Sequence, residues 1–179
     1  MKLNVGDKAP DIGIKDQDGQ NVRLSEFKGK KVVLYFYPRD HTSGCTAEAC
    51  NLRDNYKLLQ KKGYEVLGVS TDTEQSHRSF IAKQQLPFRL LADVDKTLHN
   101  KYGTWIQKSM YGRKYMGTAR LTFIINEKGI IEEIVQKVDT KNHADQILNP
   151  TAGVPNQPVA KKSVKKKTST ARKAAKKKK

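Results

Sequence analysis

Cys45 and Cys50 are the only cysteines in the chain, five positions apart in the stretch YPRDHTSGCTAEAC. A thiol in the first turn of a helix faces free backbone N–H groups and the positive end of the helix dipole, which together favour the thiolate. The thiolate is the nucleophilic form, so Cys45 reads as a nucleophile if a helix begins beside it. Pro38, Thr42 and Ser43 lie just upstream. Thr42 or Ser43 can cap such a helix, and a hydroxyl three residues before the sulfur can also hydrogen-bond to it or to a bound substrate. The plainer reading makes Cys45 a small buried residue and Thr42 merely a cap. In an ideal helix, positions five apart differ by a rise of about 7.5 Å and a rotation of about 140°, so their Cα atoms stand roughly 8.7 Å apart. A disulfide needs about 7 Å or less. If both cysteines are helical, either they never pair or the first turns unwind when they do.

The elements that must position these thiols are legible on both sides. Residues 32–37 are β-branched, aromatic and leucine residues stopped by Pro38, a buried strand. Ala49, Leu52, Tyr56 and Leu59 then recur at helical spacing until Lys61, Lys62 and Gly63 close the run. Residues 66–69 form a second buried strand. Strand, helix and strand make a βαβ unit with parallel strands, and sites gather outside the carboxyl ends of such strands. Upstream, DQDG between residues 12–14 and 22–24 predicts a hairpin or pair of short strands. Downstream, Thr71 and Glu74 have capping-box spacing for a helix over 71–85 with Phe80 and Ile81 on its buried face, ended by Pro87. A short strand follows at 88–91 and a short helix at 93–102. Residues 103–118 show no clean period and read as a loop. Residues 121–125 and 130–135 read as an antiparallel hairpin turned at Asn126 to Gly129, and 142–148 as a final short helix ended by Pro150. The expected fold class is α/β and thioredoxin-like: a central mixed β-sheet flanked by helices.

Of 35 Lys and Arg residues, 11 fall in residues 151–179, which hold no Asp or Glu, so the body carries 24 basic against all 18 acidic residues. The formal net charge of +17 therefore describes the tail more than the fold. The expectation is a domain over 1–150 and a disordered Lys-rich tail over 151–179, too poor in apolar residues to order itself. No apolar run approaches the roughly 18 residues of a membrane span, and the first residues lack the apolar core of a signal peptide. A soluble, cytoplasmic protein is expected. In that compartment a transient catalytic disulfide is a better reading of two cysteines than a permanent staple.

YPRDHTSGC carries Pro, Thr and Cys in the Pro-x-x-x-Thr-x-x-Cys spacing, and FYPRDHTSGCTAEACNLRD, GVSTD, LLADVD and RLTFII extend the match across residues 2–148. In these the chain resembles the peroxiredoxins, specifically the bacterioferritin comigratory protein (Prx Q) subfamily of atypical 2-Cys thioredoxin-dependent peroxidases. The resemblance implies a thiol peroxidase of antioxidant defence, reducing hydrogen peroxide and organic hydroperoxides without a cofactor. Cys45 matches the peroxidatic cysteine, oxidised to a sulfenic acid. Cys50 matches the resolving cysteine, which condenses with it to an intramolecular disulfide recycled by thioredoxin. Thr42 matches the hydroxyl that orients the peroxide, Pro38 the wall that keeps water off the sulfur, and Arg120 the arginine that stabilises the thiolate and the polarised O–O bond. Ser43 stands where the family often has proline, and the final helix is shorter than usual. A monomer is expected.

Other residues read more plainly. Glu48 can orient Arg120 or a water, but a glutamate interacting with the helix dipole is the simpler reading. His41 with the two cysteines makes a poor zinc pattern, so no metal is expected. His77, His99 and His143 read as surface residues, Arg39 as a solvated charge, and Trp105 and Tyr111 as aromatics sealing a loop. The tail's 11 cations can bind nucleic acid or another polyanion through phosphate contacts, without sequence preference. A nucleic-acid-binding protein on a peroxiredoxin scaffold is thus the rival reading. A thiol–disulfide oxidoreductase is disfavoured because Cys-x4-Cys stands where Cys-x2-Cys would be needed.

Overall fold

Alternate residues of one strand supply the two hydrophobic cores between which the fold is built. Val32, Leu34 and Phe36 pack with Ile12, Val22, Leu91 and Phe123 on one face, while Val33, Tyr35 and Tyr37 pack with Cys45, Leu52, Phe80 and Ile147 on the other. Burying each such large side chain contributes roughly 1.5–3 kcal/mol, so a strand covered on both faces anchors both layers. The computed structural model describes residues 3–149. The expectations for the 151–179 tail and for Pro150 lie outside the described residues.

Short strands β1 (Ile14–Lys15) and β2 (Asn21–Val22) form the expected N-terminal hairpin, with Ile14 opposite Val22. A 3-10 turn over Leu24–Phe27 leads to the central strand β3 (Lys31–Phe36). Next come α1 (Ser43–Asp54), α2 (Tyr56–Lys61) and β4 (Tyr64–Ser70). Then follow α3 (Glu74–Gln84), β5 (Arg89–Ala92) and α4 (Thr97–Tyr102). The chain continues through β6 (Trp105–Met110), β7 (Arg113–Thr118), β8 (Leu121–Ile125) and β9 (Ile131–Val135) to α5 (His143–Leu148). The main sheet runs β5-β4-β3-β8-β9. Strands β3, β4 and β5 are parallel, and β8 pairs antiparallel with both β3 and β9. This is the thioredoxin-like mixed sheet with helices on its faces. Among the described residues no helix is long and apolar enough to cross a membrane.

Three local expectations are corrected. The helix of the βαβ unit is two helices, broken at Asn55, whose side chain donates to the Asn51 carbonyl at 2.9 Å beside its own backbone N–H. Helix α3 is capped by Thr73, not Thr71: the Thr73 hydroxyl accepts from the Ser76 N–H at 3.3 Å. Residues 103–118 are not a loop. They hold the β6–β7 hairpin, paired from Trp105↔Thr118 to Met110↔Arg113. Its turn places Tyr111 and Gly112 both at positive φ, 50° and 77°, the conformation that a two-residue hairpin turn requires.

Gly68 in β4 shows how closely the α1-side core is packed. It pairs with Tyr35, and a Cβ built there would stand 2.6 Å from Leu90 Cδ2 and 2.7 Å from the Tyr35 ring. Both neighbours are fully buried, so neither can swing into solvent. Gly68→Ala is expected to destabilise the fold by roughly 1–3 kcal/mol, read as a lower denaturation midpoint in urea. An unchanged midpoint would mean this core yields more readily than its packing indicates.

Candidate active site

Strand β3 ends at Phe36, and the segment after it is held down by a buried carboxylate. Asp40 accepts from the Tyr37 hydroxyl at 2.7 Å and the Ser76 hydroxyl at 2.7 Å, and lies 2.8 Å from His77 Nδ1. Its own N–H donates to Asp72 at 2.8 Å. Burial alone would raise the Asp40 carboxyl, but the bonds from His77, Tyr37 and Ser76 outweigh it and hold the group below its ordinary value. The segment bearing Pro38 and Thr42 is thus tied to β4 and α3, and the chain enters α1 from a fixed point.

Cys45 is the third residue of α1 and is buried, 2 % exposed. Arg120, in the link between β7 and β8, directs Nη2 onto Cys45 Sγ at 3.2 Å. Its other terminal nitrogen, Nη1, donates to Glu48 Oε2. Burial would lower the Arg120 guanidinium, but Glu48 and Cys45 outweigh that and raise it above its ordinary value, keeping it cationic. A cation on the sulfur and a helix N-terminus behind it both favour the thiolate. The sequence-derived pair Cys45 and Arg120 is therefore brought into contact.

Pro38 and Thr42 lie on the segment that leads into α1, and Cys50 within α1 itself. Pro38 is half-buried at the end of the β3 extension. Thr42 occupies the N-cap position of α1, but no side chain caps the helix: the Thr42 hydroxyl donates to the Arg39 carbonyl at 3.0 Å, and only the Thr42 carbonyl enters the helix, accepting from Thr46. The capping role expected of Thr42 or Ser43 is thus corrected: the Thr42 hydroxyl turns back to donate over residues 39–42, and no side chain accepts from the first N–H groups of α1. Cys50 lies in the same unbroken helix as Cys45, half-buried, with its Sγ 3.6 Å from Gln84 Oε1, and both thiols are free.

Glu48 and the histidines differ most from expectation. Glu48 is fully buried and bridges Arg120 to α5, with Oε1 standing 3.2 Å from His143 Nδ1. Those two atoms come within ion-pair distance without an aligned hydrogen bond, and neither has another hydrogen-bond partner. His143 Nε2 lies 3.0 Å from the Thr122 hydroxyl. Neither His77, His99 nor His143 is a surface residue: all three are fully buried, each beside a carboxylate, with His99 Nδ1 2.6 Å from Asp93. One signal in the sequence locates them. Each histidine sits a helical turn before a buried apolar residue, Phe80, Tyr102 and Ile147. Lys108 on β6 is a further residue that spacing did not reveal. Burial, then the charge of Arg120, lowers its ammonium, while Cys45 raises it, so Lys108 feels the same site. Trp105 does pack edge-on to His99, with ring centres 6.0 Å apart, whereas Tyr111 is 98 % exposed at the hairpin tip and seals nothing.

Comparison with known proteins agrees with this geometry. Residues 5–134 match the AhpC/TSA family. The chain is similar to peroxiredoxin Bcp of Escherichia coli K12, 44% identical over 147 residues that cover 82% of this chain and 94% of that one. It is 40% identical to peroxiredoxin Bcp of Bacillus subtilis over 148 residues, covering 83% and 94% of the two chains. Among solved structures it is similar to Xanthomonas campestris peroxiredoxin Q, with a TM-score of 0.72 and 34% identity over 76% of this chain and 87% of that one. A second structure of that bacterium's bacterioferritin comigratory protein concerns its alkyl peroxide reduction.

The Arg120 contact makes a direct prediction. Arg120→Met is expected to slow alkylation of Cys45 by iodoacetamide near neutral pH by about tenfold, the effect of losing one hydrogen bond to a charged group. Alkylation of Cys50, which Arg120 does not touch, is expected to keep its rate. Peptide mass spectrometry separates the two thiols, and equal slowing of both would point to a general change in the helix instead.

Proposed function

The chain belongs to the AhpC/TSA family and is a peroxiredoxin, and from that premise we propose that Cys45 is its peroxidatic and Cys50 its resolving cysteine. The carrying observation is the Arg120 guanidinium on the sulfur of a buried cysteine in the first turn of a helix. In this reading the Cys45 thiolate attacks the terminal oxygen of a peroxide. The S–O bond forms as the O–O bond breaks, and the departing alkoxide or hydroxide takes up a proton. Arg120 meets the negative charge as it shifts from sulfur to the leaving oxygen. Pro38 limits water at the sulfur, and the Thr42 hydroxyl turns from Arg39 to the peroxide.

Cys50 then attacks the sulfenic sulfur: the S–S bond forms, the S–O bond breaks, and the oxygen leaves as water. Both residues are helical in the reduced state, so this step requires unwinding between them. Thioredoxin returns the disulfide to two thiols, and the enzyme works as a monomer in the cytoplasm. Substrates include hydrogen peroxide and organic hydroperoxides, a reading supported by the alkyl peroxide reduction of the Xanthomonas campestris relative.

Peroxide consumption with thioredoxin, thioredoxin reductase and NADPH tests these assignments. Wild type is expected to turn over, Cys45→Ser to be inactive, and Cys50→Ser to complete only one turnover. Amide exchange over residues 47–52 is expected to rise in the disulfide form. A Cys50→Ser enzyme that cycles as well as wild type would remove Cys50 from the resolving role.

A second property is favoured by composition. Residues 151–179 carry 11 of the chain's basic residues and no acid, and we infer that this segment binds nucleic acid non-specifically. Retention on duplex DNA is expected to fall steeply between about 50 and 200 mM salt, to be insensitive to Cys45→Ser, and to vanish when the chain is ended at 150. Retention that survives this truncation would place the binding elsewhere.

A further inference from the structure

His143 is a fully buried polar side chain that the catalytic assignments leave without a task. It stands at the first residue of α5, and its two ring nitrogens face different elements. Nε2 lies 3.0 Å from the Thr122 hydroxyl on β8, two residues beyond Arg120. Nδ1 lies 3.2 Å from Glu48 Oε1 on α1, the carboxylate whose other oxygen takes the Arg120 guanidinium. Asn51, one residue after Cys50, clamps the same junction. Its side chain donates to the Lys141 carbonyl at 2.7 Å and accepts from the Ala144 N–H at 2.8 Å.

Glu48 lies between the two cysteines, inside the segment that a disulfide must unwind. The side chain that fixes Arg120 on Cys45 is therefore carried by the turns that move. Resolution cannot proceed with Glu48 in its buried place, because Cα atoms five apart in a helix are too distant for a disulfide. The Glu48–His143 approach is close yet unaligned, and neither atom has another partner. It holds Glu48 while the helix is formed and can be given up without breaking a well-formed bond.

We propose that His143 is a positioning residue acting through Glu48: it keeps Glu48, and so Arg120, in place for the attack of Cys45 on peroxide, and its contact with Glu48 is released for Cys50 to reach Cys45. The proposal rests on the assignment of Cys45 and Cys50 given above. It makes one side chain favour oxidation and oppose disulfide formation, so its loss moves the two rates in opposite directions. A role in packing alone has no reason to do so.

The test mixes the full-length reduced protein with hydrogen peroxide, quenches it over milliseconds to seconds, and follows thiol, dimedone-trapped sulfenic acid and disulfide by mass spectrometry. His143→Ala is expected to slow Cys45 oxidation several-fold and to speed disulfide formation several-fold. His143→Asn retains an N–H donor near the place of Nδ1 and is expected to recover the wild-type oxidation rate. Thr122→Val, close in volume and removing the Nε2 partner, covers the case in which the alanine variant does not fold, and it is expected to shift the ratio of the two rates in the same sense. Unchanged rates, or both rates falling together, would overturn the proposal. So would an asparagine variant no better than alanine, or an unchanged ratio in Thr122→Val. A wild type that forms no sulfenic acid or disulfide would sink the site assignment itself. A wild type that completes both steps beside unaffected variants would sink only the role of His143.

Discussion

The approach of the Arg120 guanidinium to Cys45 Sγ, 3.2 Å, is the contact that the rest of the fold serves. Its two partners are 75 positions apart in sequence, yet both are referred to one strand. Cys45 is reached from the carboxyl end of β3 through a segment pinned by Asp40. Arg120 immediately precedes β8, which pairs with β3 from Phe36↔Leu121 onward. The antiparallel register of β8 on β3 thus brings the arginine to the place where α1 starts. Chemistry that depends on charge placed in advance tolerates misplacement of only about half an ångström. A doubly covered central strand is the stiffest reference the fold possesses, and both partners are tied to it.

In the proposed cycle helix α1 is rigid for that contact and yields for the disulfide step, and its composition divides the two demands. From Ser43 to Cys50 it carries Gly44, Ala47 and Ala49 among small or polar residues, and only Cys45 and Ala49 are buried apolar positions. The large anchor, Leu52, lies beyond Cys50 and is fully buried. Unwinding the first two turns therefore exposes little apolar surface, while Leu52 keeps the remaining turns seated. The helix entry also lacks a side-chain cap, because the Thr42 hydroxyl is engaged with Arg39. An uncapped first turn frays at lower cost than a capped one. What resists fraying is chiefly polar and concentrated at Glu48.

Most of this framework was legible in the sequence because it rests on periodicity. The run over 32–37, the helical spacing from Ala49 to Leu59 and the 121–135 hairpin each show a buried face, and each appears in the structure. Cys45 and Cys50 were legible through their spacing at a strand-to-helix junction, and Arg120 only through the resemblance to the peroxiredoxins. The β6–β7 hairpin was not, because both its faces are largely exposed: Ile106, Met110, Tyr115 and Met116 remain open to solvent, so no alternation marks a core side. Glu48 and His143 escaped for a different reason. A charged or polar residue on a helix reads as solvated unless its partner is known, and their partners come from β8 and from each other, across 95 residues of chain. Long-range pairing of buried polar groups leaves no local trace except the apolar neighbours one turn away.

Those buried histidines also share a plan. Asp40 and His77 join the β3 extension to α3, Asp93 and His99 join the end of β5 to α4, and Glu48 and His143 join α1 to α5. Each pair sits where a helix docks on the sheet or on another helix, and each replaces apolar packing with a directional contact. In the first two, Nδ1 lies 2.8 and 2.6 Å from the carboxylate oxygen. Asp93 also accepts from the Leu98 and His99 N–H groups, so despite burial its carboxyl is held below its ordinary value. At these two joints both ring nitrogens of the histidine have hydrogen-bond partners. The third is longer, 3.2 Å, and unaligned, and it alone involves the helix that carries both cysteines. Removing one member of a well-made buried pair costs about 3–5 kcal/mol, which would hold α1 shut. In the proposed cycle a looser pair at this joint lets the same device position Arg120 and still release α1.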